Sequence, residues 1–139
     1  MDQVETHIYT LNFTTGASVY KTVTAGLPFT VHRIVFKPLN CYFTAENGFY
    51  PLLVYSDLID RTKAIGYSGH IAQQLPPVAG QAGQWVAVNN DVTFTLQNPL
   101  DMQNKTINFW CGSVLNGGSV FDTAPFTGII VVTVEYHSR

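Results

Sequence analysis

Along the chain, apolar residues recur with the period of two that belongs to strands, and helical periodicity is weak throughout. From Glu5 to Phe13, Tyr9, Leu11 and Phe13 fall on one face opposite mostly polar positions, which predicts a half-buried strand. A short Val- and Thr-containing segment, Ser18 to Thr24, ends at the turn signal Ala25-Gly26-Leu27-Pro28. From Pro28 to Lys37 the apolar phase slips by one residue, passing from Phe29 and Val31 to Ile34 and Phe36. Such a slip predicts either a bulge or a strand buried on both faces, and Pro38 ends the segment.

Phe49 to Ile59 is nearly continuous in apolar residues and predicts a central strand. Its Pro51 is expected at the strand's start, where a missing N–H does little harm. Asp60 to Gln84 is the least regular stretch, with Gly66, Gly69, Gly80, Gly83 and the pair Pro76-Pro77. It reads as loops around one or two short strands. Trp85 to Val88 is a short strand. Val92, Phe94 and Leu96 alternate with Thr93 and Thr95, and Ile107 and Phe109 with Asn108 and Trp110. After a loop from Val114 to Ser119, the segment Gly128 to Tyr136 gives the strongest signal. Five of its residues from Ile129 to Val134 are β-branched aliphatics, which pack well on a pleated surface.

About eight strands with long connections at 60–84 and 112–126 predict an all-β fold, an antiparallel β-sandwich of jelly-roll type. One domain spanning residues 1–139 accommodates it. An immunoglobulin-type sandwich fits less well, because Trp110 adjoins Cys111 and no Trp follows Cys41 closely.

Composition narrows the functional classes. Hydrophobic residues make up 46%, aromatics 13% and charged residues only 12%, which excludes a disordered chain. No apolar run reaches the ~18 residues of a membrane-spanning helix. The start, MDQVETHIYT, lacks the basic and apolar regions of a signal peptide, so a reducing cytoplasm is expected and Cys41 and Cys111 are read as reduced core thiols. The sequons at Asn12 and Asn104 then read as chance matches. Seven Lys and Arg against nine Asp and Glu give no basic footprint, and direct nucleic-acid binding is not expected. Arg33 and Lys37 lie four apart and share a strand face, but two charges are few.

Candidate chemistry is sparse. His7, His32, His70 and His137 are widely spaced, without HxH or HExxH. Metal chemistry would need folding to assemble, for instance, His32, His70 and Glu46. Ser68 and His70 lie in Gly66-Tyr67-Ser68-Gly69-His70, which is a turn sequence and not the GxSxG elbow. Asp57 and Asp60, three apart on a strand, point to opposite faces and cannot flank one glycosidic bond; Asp57 is expected to hydrogen-bond a loop. Gly80-Gln81-Ala82-Gly83 lacks the Lys and Ser/Thr of a phosphate loop. No catalytic, cofactor-binding or metal-ligating residue is assigned, and the chain is read as no enzyme. Most aromatics are read as core, and Trp85, at a loop-strand junction, is the one to test first for exposure.

The run Leu52-Leu53-Val54-Tyr55-Ser56-Asp57-Leu58-Ile59 resembles a strand of small jelly-roll structural proteins of viruses, and Gly128 to Tyr136 is similar to their closing strand. Asn98-Pro99-Leu100-Asp101 through Ile107-Asn108-Phe109-Trp110 sits where such proteins carry a penultimate strand pair. The resemblance implies a capsid component (a shell, penton or minor capsid protein, or a spike head) located in the virion. It further implies partnership with copies of itself and other capsid proteins. MDQVETHIYT carries no Arg-rich arm of the kind many genome-packaging capsid proteins have at the N-terminus, which favours a penton, vertex or decoration role, or a particle whose genome is condensed by another protein. The alternative from a different class is a carbohydrate- or receptor-binding module. It would use Trp85 or Trp110 for stacking and loops such as Asn89-Asn90-Asp91 and Asn116-Gly117-Gly118 for sugar hydroxyls.

Overall fold

The period-two alternation appears in the computed structural model as antiparallel strands. The structure describes residues 3–14, 20–24, 26–46, 52–59, 66–68, 85–88, 91–103, 105–114, 120–121 and 126–138. In chain order the strands are β1 (Gln3–Phe13), β2 (Tyr20–Thr24), β3 (Thr30–Phe36), β4 (Leu39–Glu46), β5 (Leu52–Ser56) and β6 (Gly66–Ser68). There follow β7 (Trp85–Val88), β8 (Val92–Asp101), β9 (Thr106–Val114), β10 (Val120–Phe121) and β11 (Phe126–Ser138). No helix occurs among the described residues, and so none there is long and apolar enough to cross a membrane.

Two antiparallel sheets result, in a sandwich-like arrangement. The larger is built on β11, the β-branched segment. One edge of β11 pairs with β1 along its whole length, Gln3 opposite Ser138 to Phe13 opposite Gly128. The other edge pairs with β3 over its second half and with β4 over its first. β8 and β7 then pair with β3 and β4 in turn. In the smaller sheet β9 is central, with β2 and β10 along one edge and β5 along the other, and β6 completes it beyond β5. The Phe49–Ile59 expectation thus holds for Leu52–Ser56, which is paired on both sides. Pro51 lies outside the described residues.

Pro38 ends β3 as the sequence suggests, since Lys37 and Pro38 belong to no strand, but the line of pairing along β11 resumes beyond it in β4. Phe36 opposes Val134 and Asn40 opposes Val131, so four residues' advance on one side meets three on the other. That is a bulge. The Lys37 N–H still donates to Thr133 O at 2.9 Å, and Pro38, which has no N–H to give, falls in the interruption. β3 and β4 are therefore one line bent at Lys37-Pro38, and β7 and β8 follow it as another. Eleven strands are found among the described residues, where about eight are expected. The phase slip near Val31 is also a bulge: Val31 and Arg33 oppose Ser138 and His137, leaving His32 as the extra residue.

The core lies between the sheets. Tyr9, Leu11, Phe13, Ile34, Phe36, Ile130, Val132, Val134 and Tyr136 from the larger sheet meet Val54, Ile107 and Phe109 from the smaller. Tyr9 and Phe109 make a contact across the layers, with ring centroids 5.2 Å apart. Leu27 and Met102, from connections, are buried in the same cluster. Gly26 takes φ +61°, a left-handed conformation that L side chains rarely adopt, and so starts the turn that delivers Leu27.

Candidate interaction surface

Because β11 sends its even residues to the core, its odd residues face outward with those of its neighbours. The outer face of the larger sheet is read in rows from the register. One row carries Val4, His137, Arg33 and Thr95; the next carries Thr6, Glu135, Val35 and Thr93. At the far end Asn12, Ile129, Tyr42 and Trp85 form a row, beside Thr10, Val131, Asn40 and Ala87.

The first end is charged and closed upon itself. Arg33 Nη2 donates to His137 Nδ1 at 2.9 Å. A guanidinium has no lone pair, so Nδ1 is the acceptor and the ring proton sits on Nε2, which lies 3.8 Å from Glu135 Oε1. Lys37 Nζ reaches both Glu135 Oε1 at 3.3 Å and Asp91 Oδ2 at 2.9 Å. The Asp91 and Glu135 carboxylates beside it raise the Lys37 ammonium above its ordinary value. Arg33 and Lys37 do share a region of one face, where Lys37 is paired with two carboxylates and Arg33 donates to His137. Alternation along Gly128–Tyr136 turns Glu135 outward, but only the register with β3 brings it to Lys37.

The second end is neutral and aromatic. Trp85, the aromatic singled out for testing, is 57% exposed, and its ring lies 5.4 Å from that of Tyr42 at 50°. Asn40 and Ala87 beside it are exposed, as is Asn12 at the opposite end of the row. At the β1 margin Ile8 is 68% and Val4 48% exposed. These two were legible as apolar residues on the polar face of β1.

The remaining candidates are dispersed. His7 packs on Tyr9 and edge-on to Tyr136. His32 occupies the β3 bulge. Asp57 follows β5 in a turn, and its partner is strand β9, not a loop. Its Oδ1 accepts from the Asn108 N–H at 3.0 Å, its Oδ2 accepts from Asn108 Nδ2 at 2.9 Å, and its own N–H donates to Asn108 O at 3.2 Å. Cys41 is a buried free thiol on β4, pushed up to about 12 by desolvation. Among the described residues no three His, Cys, Asp or Glu side chains cluster as metal ligands. Asp60, His70, Gly80–Gly83, Asn89-Asn90, Asn116–Gly118 and the side chains of Glu46, Trp110 and Cys111 lie outside them.

No protein-family model matches the chain, and no curated protein matches it in sequence. Among solved structures it is similar to a protein of the disulfide-linked pili of Bacillus endospore appendages, at 13% identity and TM-score 0.32, covering 100% of this chain and 92% of that one. It is also similar to a chain of mud crab tombus-like virus, at 11% identity and TM-score 0.25, covering 99% and 82% respectively. At these identities and TM-scores neither likeness carries a functional argument.

Proposed function

We propose that this chain is a viral structural protein, a jelly-roll capsid component that acts by self-assembly and not by catalysis, in a virion. The observation that carries the fold is the nested pairing. Taken as lines, with β3 joined to β4, β7 to β8, and β10 beside β2, the strands make eight, four to each sheet. The first pairs with the last (β1–β11) and the second with the seventh (β2–β9). The third pairs with the sixth (β3/β4 with β8/β7) and the fourth with the fifth (β5–β6). Closure comes from β11 against β3/β4 and β9 against β5. A long hairpin rolled on itself is the plan of a jelly roll. The resemblance of Leu52–Ile59 and Gly128–Tyr136 to strands of small viral proteins supports the capsid assignment. Assembly with copies of itself is supported by the low charge and by exposed Ile8 and Trp85, which a free monomer gains nothing by presenting. The test is light scattering after size exclusion, with negative-stain images of the same peak. Trimers, pentamers or closed particles are expected; a monomer of 15.4 kDa at high concentration would overturn the reading.

A second reading, a carbohydrate-binding surface, has one observation in its favour: exposed Trp85 stands against half-buried Tyr42, with the exposed Asn40 diagonally beside them. An aromatic face flanked by a carboxamide suits a pyranose. Quenching of Trp85 fluorescence by a glycan, lost in Trp85→Phe, would establish it.

A further inference from the structure

We propose that the free edge of β1 is a pairing surface for β1 of a second copy of this chain, the two strands running antiparallel about a two-fold axis at Thr6. The inference rests on the assembly reading and names the surface that serves it. β1 is eleven residues long and pairs with β11 on one edge only; no other described strand pairs with it. An edge of that length offers a row of backbone donors and acceptors, and proteins that must stay apart blunt such edges with Pro, Lys, a bulge or a covering element. Gln3–Phe13 contains no Pro, Gly, Lys or Arg, and its register with β11 runs without a shift from end to end. Its residues from Gln3 to Thr6, together with Ile8, are exposed, and no described strand lies along that edge.

Side-chain chemistry selects the register. With the axis at Thr6, the exposed Val4 of one copy lies opposite the exposed Ile8 of the other, on the outer face. On the inner face Glu5 lies opposite His7 of the second copy. Both matches occur twice by symmetry, as an isologous contact requires. The apolar pair leaves water and the carboxylate gains a ring N–H donor, so one axis satisfies both faces. An axis at Ile8 would instead set Glu5 opposite Leu11.

The experiment is site-directed cross-linking with the full chain. Thr6 faces its own copy across the axis, where opposed strand residues lie within the roughly 4.4–6.8 Å span of a disulfide. Thr6→Cys is therefore expected to form a covalent dimer under a mild oxidant, above the level of the wild type. Thr10→Cys is not, since eight residues of strand, about 27 Å, would separate its two copies. Ile8→Lys, on an exposed side chain, is expected to weaken self-association roughly tenfold or more. Association that persists while Thr6→Cys fails to cross-link, or while Thr10→Cys links equally well, overturns the β1 pairing and leaves the assembly reading standing. A wild-type monomer at high concentration overturns both.

Discussion

The phenolic oxygens of Tyr9 and Tyr136 lie 3.1 Å apart inside the core and share one hydrogen bond. One residue belongs to the first strand and the other to the last, so this bond ties the ends of the chain where β1 and β11 lie side by side. Both rings are buried and Tyr9 also touches Phe109 of the opposite sheet. Two hydroxyls thus enter an apolar layer and satisfy each other.

Removing both is expected to cost less than the two separate removals added together. Tyr136→Phe strands the Tyr9 hydroxyl and should cost about 1–3 kcal/mol. The double Phe variant should lose less than the sum of the single losses, because no orphaned group is left. Urea denaturation of the four proteins of this cycle measures the coupling, and strict additivity would show that the bond contributes nothing.

Alkali should unfold the protein from its core. Burial raises the Tyr9 and Tyr136 hydroxyls above their ordinary value and pushes the Cys41 thiol up to about 12. All three are neutral acids held neutral by the fold. Their contribution is therefore full below the unfolded values, about 8.5 for Cys and 10 for Tyr. It is lost as pH rises beyond them, since only the unfolded chain can then release these protons. Melting temperatures should be flat from neutrality to about pH 8.5 and fall thereafter. Cys41→Ala should delay the first part of the fall. A Cys41 thiol that native protein exposes to a thiol reagent at neutral pH would contradict the picture.

The strands were legible in the sequence wherever one face is buried. Tyr9, Leu11 and Phe13 announced β1, and Ile129 to Val134 announced β11, because alternation follows directly from the pleat. The slip at Val31 likewise announced its bulge. Lys37-Pro38 announced the end of β3, but not that pairing with β11 resumes just beyond it, because that depends on the bulge and on the partner strand. The outer-face network was hidden for another reason. Arg33, Lys37, Asp91, Glu135 and His137 come from distant parts of the chain, and only the cross-strand register joins them. Val4 and Ile8 were visible as apolar residues on a polar face, but their meaning depended on knowing that β1 is an edge.

Asp57 should prove structural. Its carboxylate takes two hydrogen bonds from Asn108 and thereby fastens the turn after β5 to β9. Asp57→Ala removes both acceptors at a position that solvent can reach, so the expected loss is about 1 kcal/mol, well short of that for a buried group. Amide hydrogen exchange at Asn108 should quicken in the variant. Unchanged exchange there would mean that β9 holds the turn without the clamp.

Trp85 should prove nearly dispensable for folding. Its described packing partner is the Tyr42 ring, and more than half of its surface is open. An aromatic pair contributes about 0.5–1.5 kcal/mol beyond area burial, whereas deleting a fully buried aromatic such as Phe36 costs about 3–5. Trp85→Ala should accordingly shift the urea midpoint far less than Phe36→Ala. A large exposed aromatic with so small a share in stability is a surface residue in function as well as in position. If Trp85→Ala instead matched Phe36→Ala, the tryptophan would belong to the core, and neither assembly nor sugar stacking could use it.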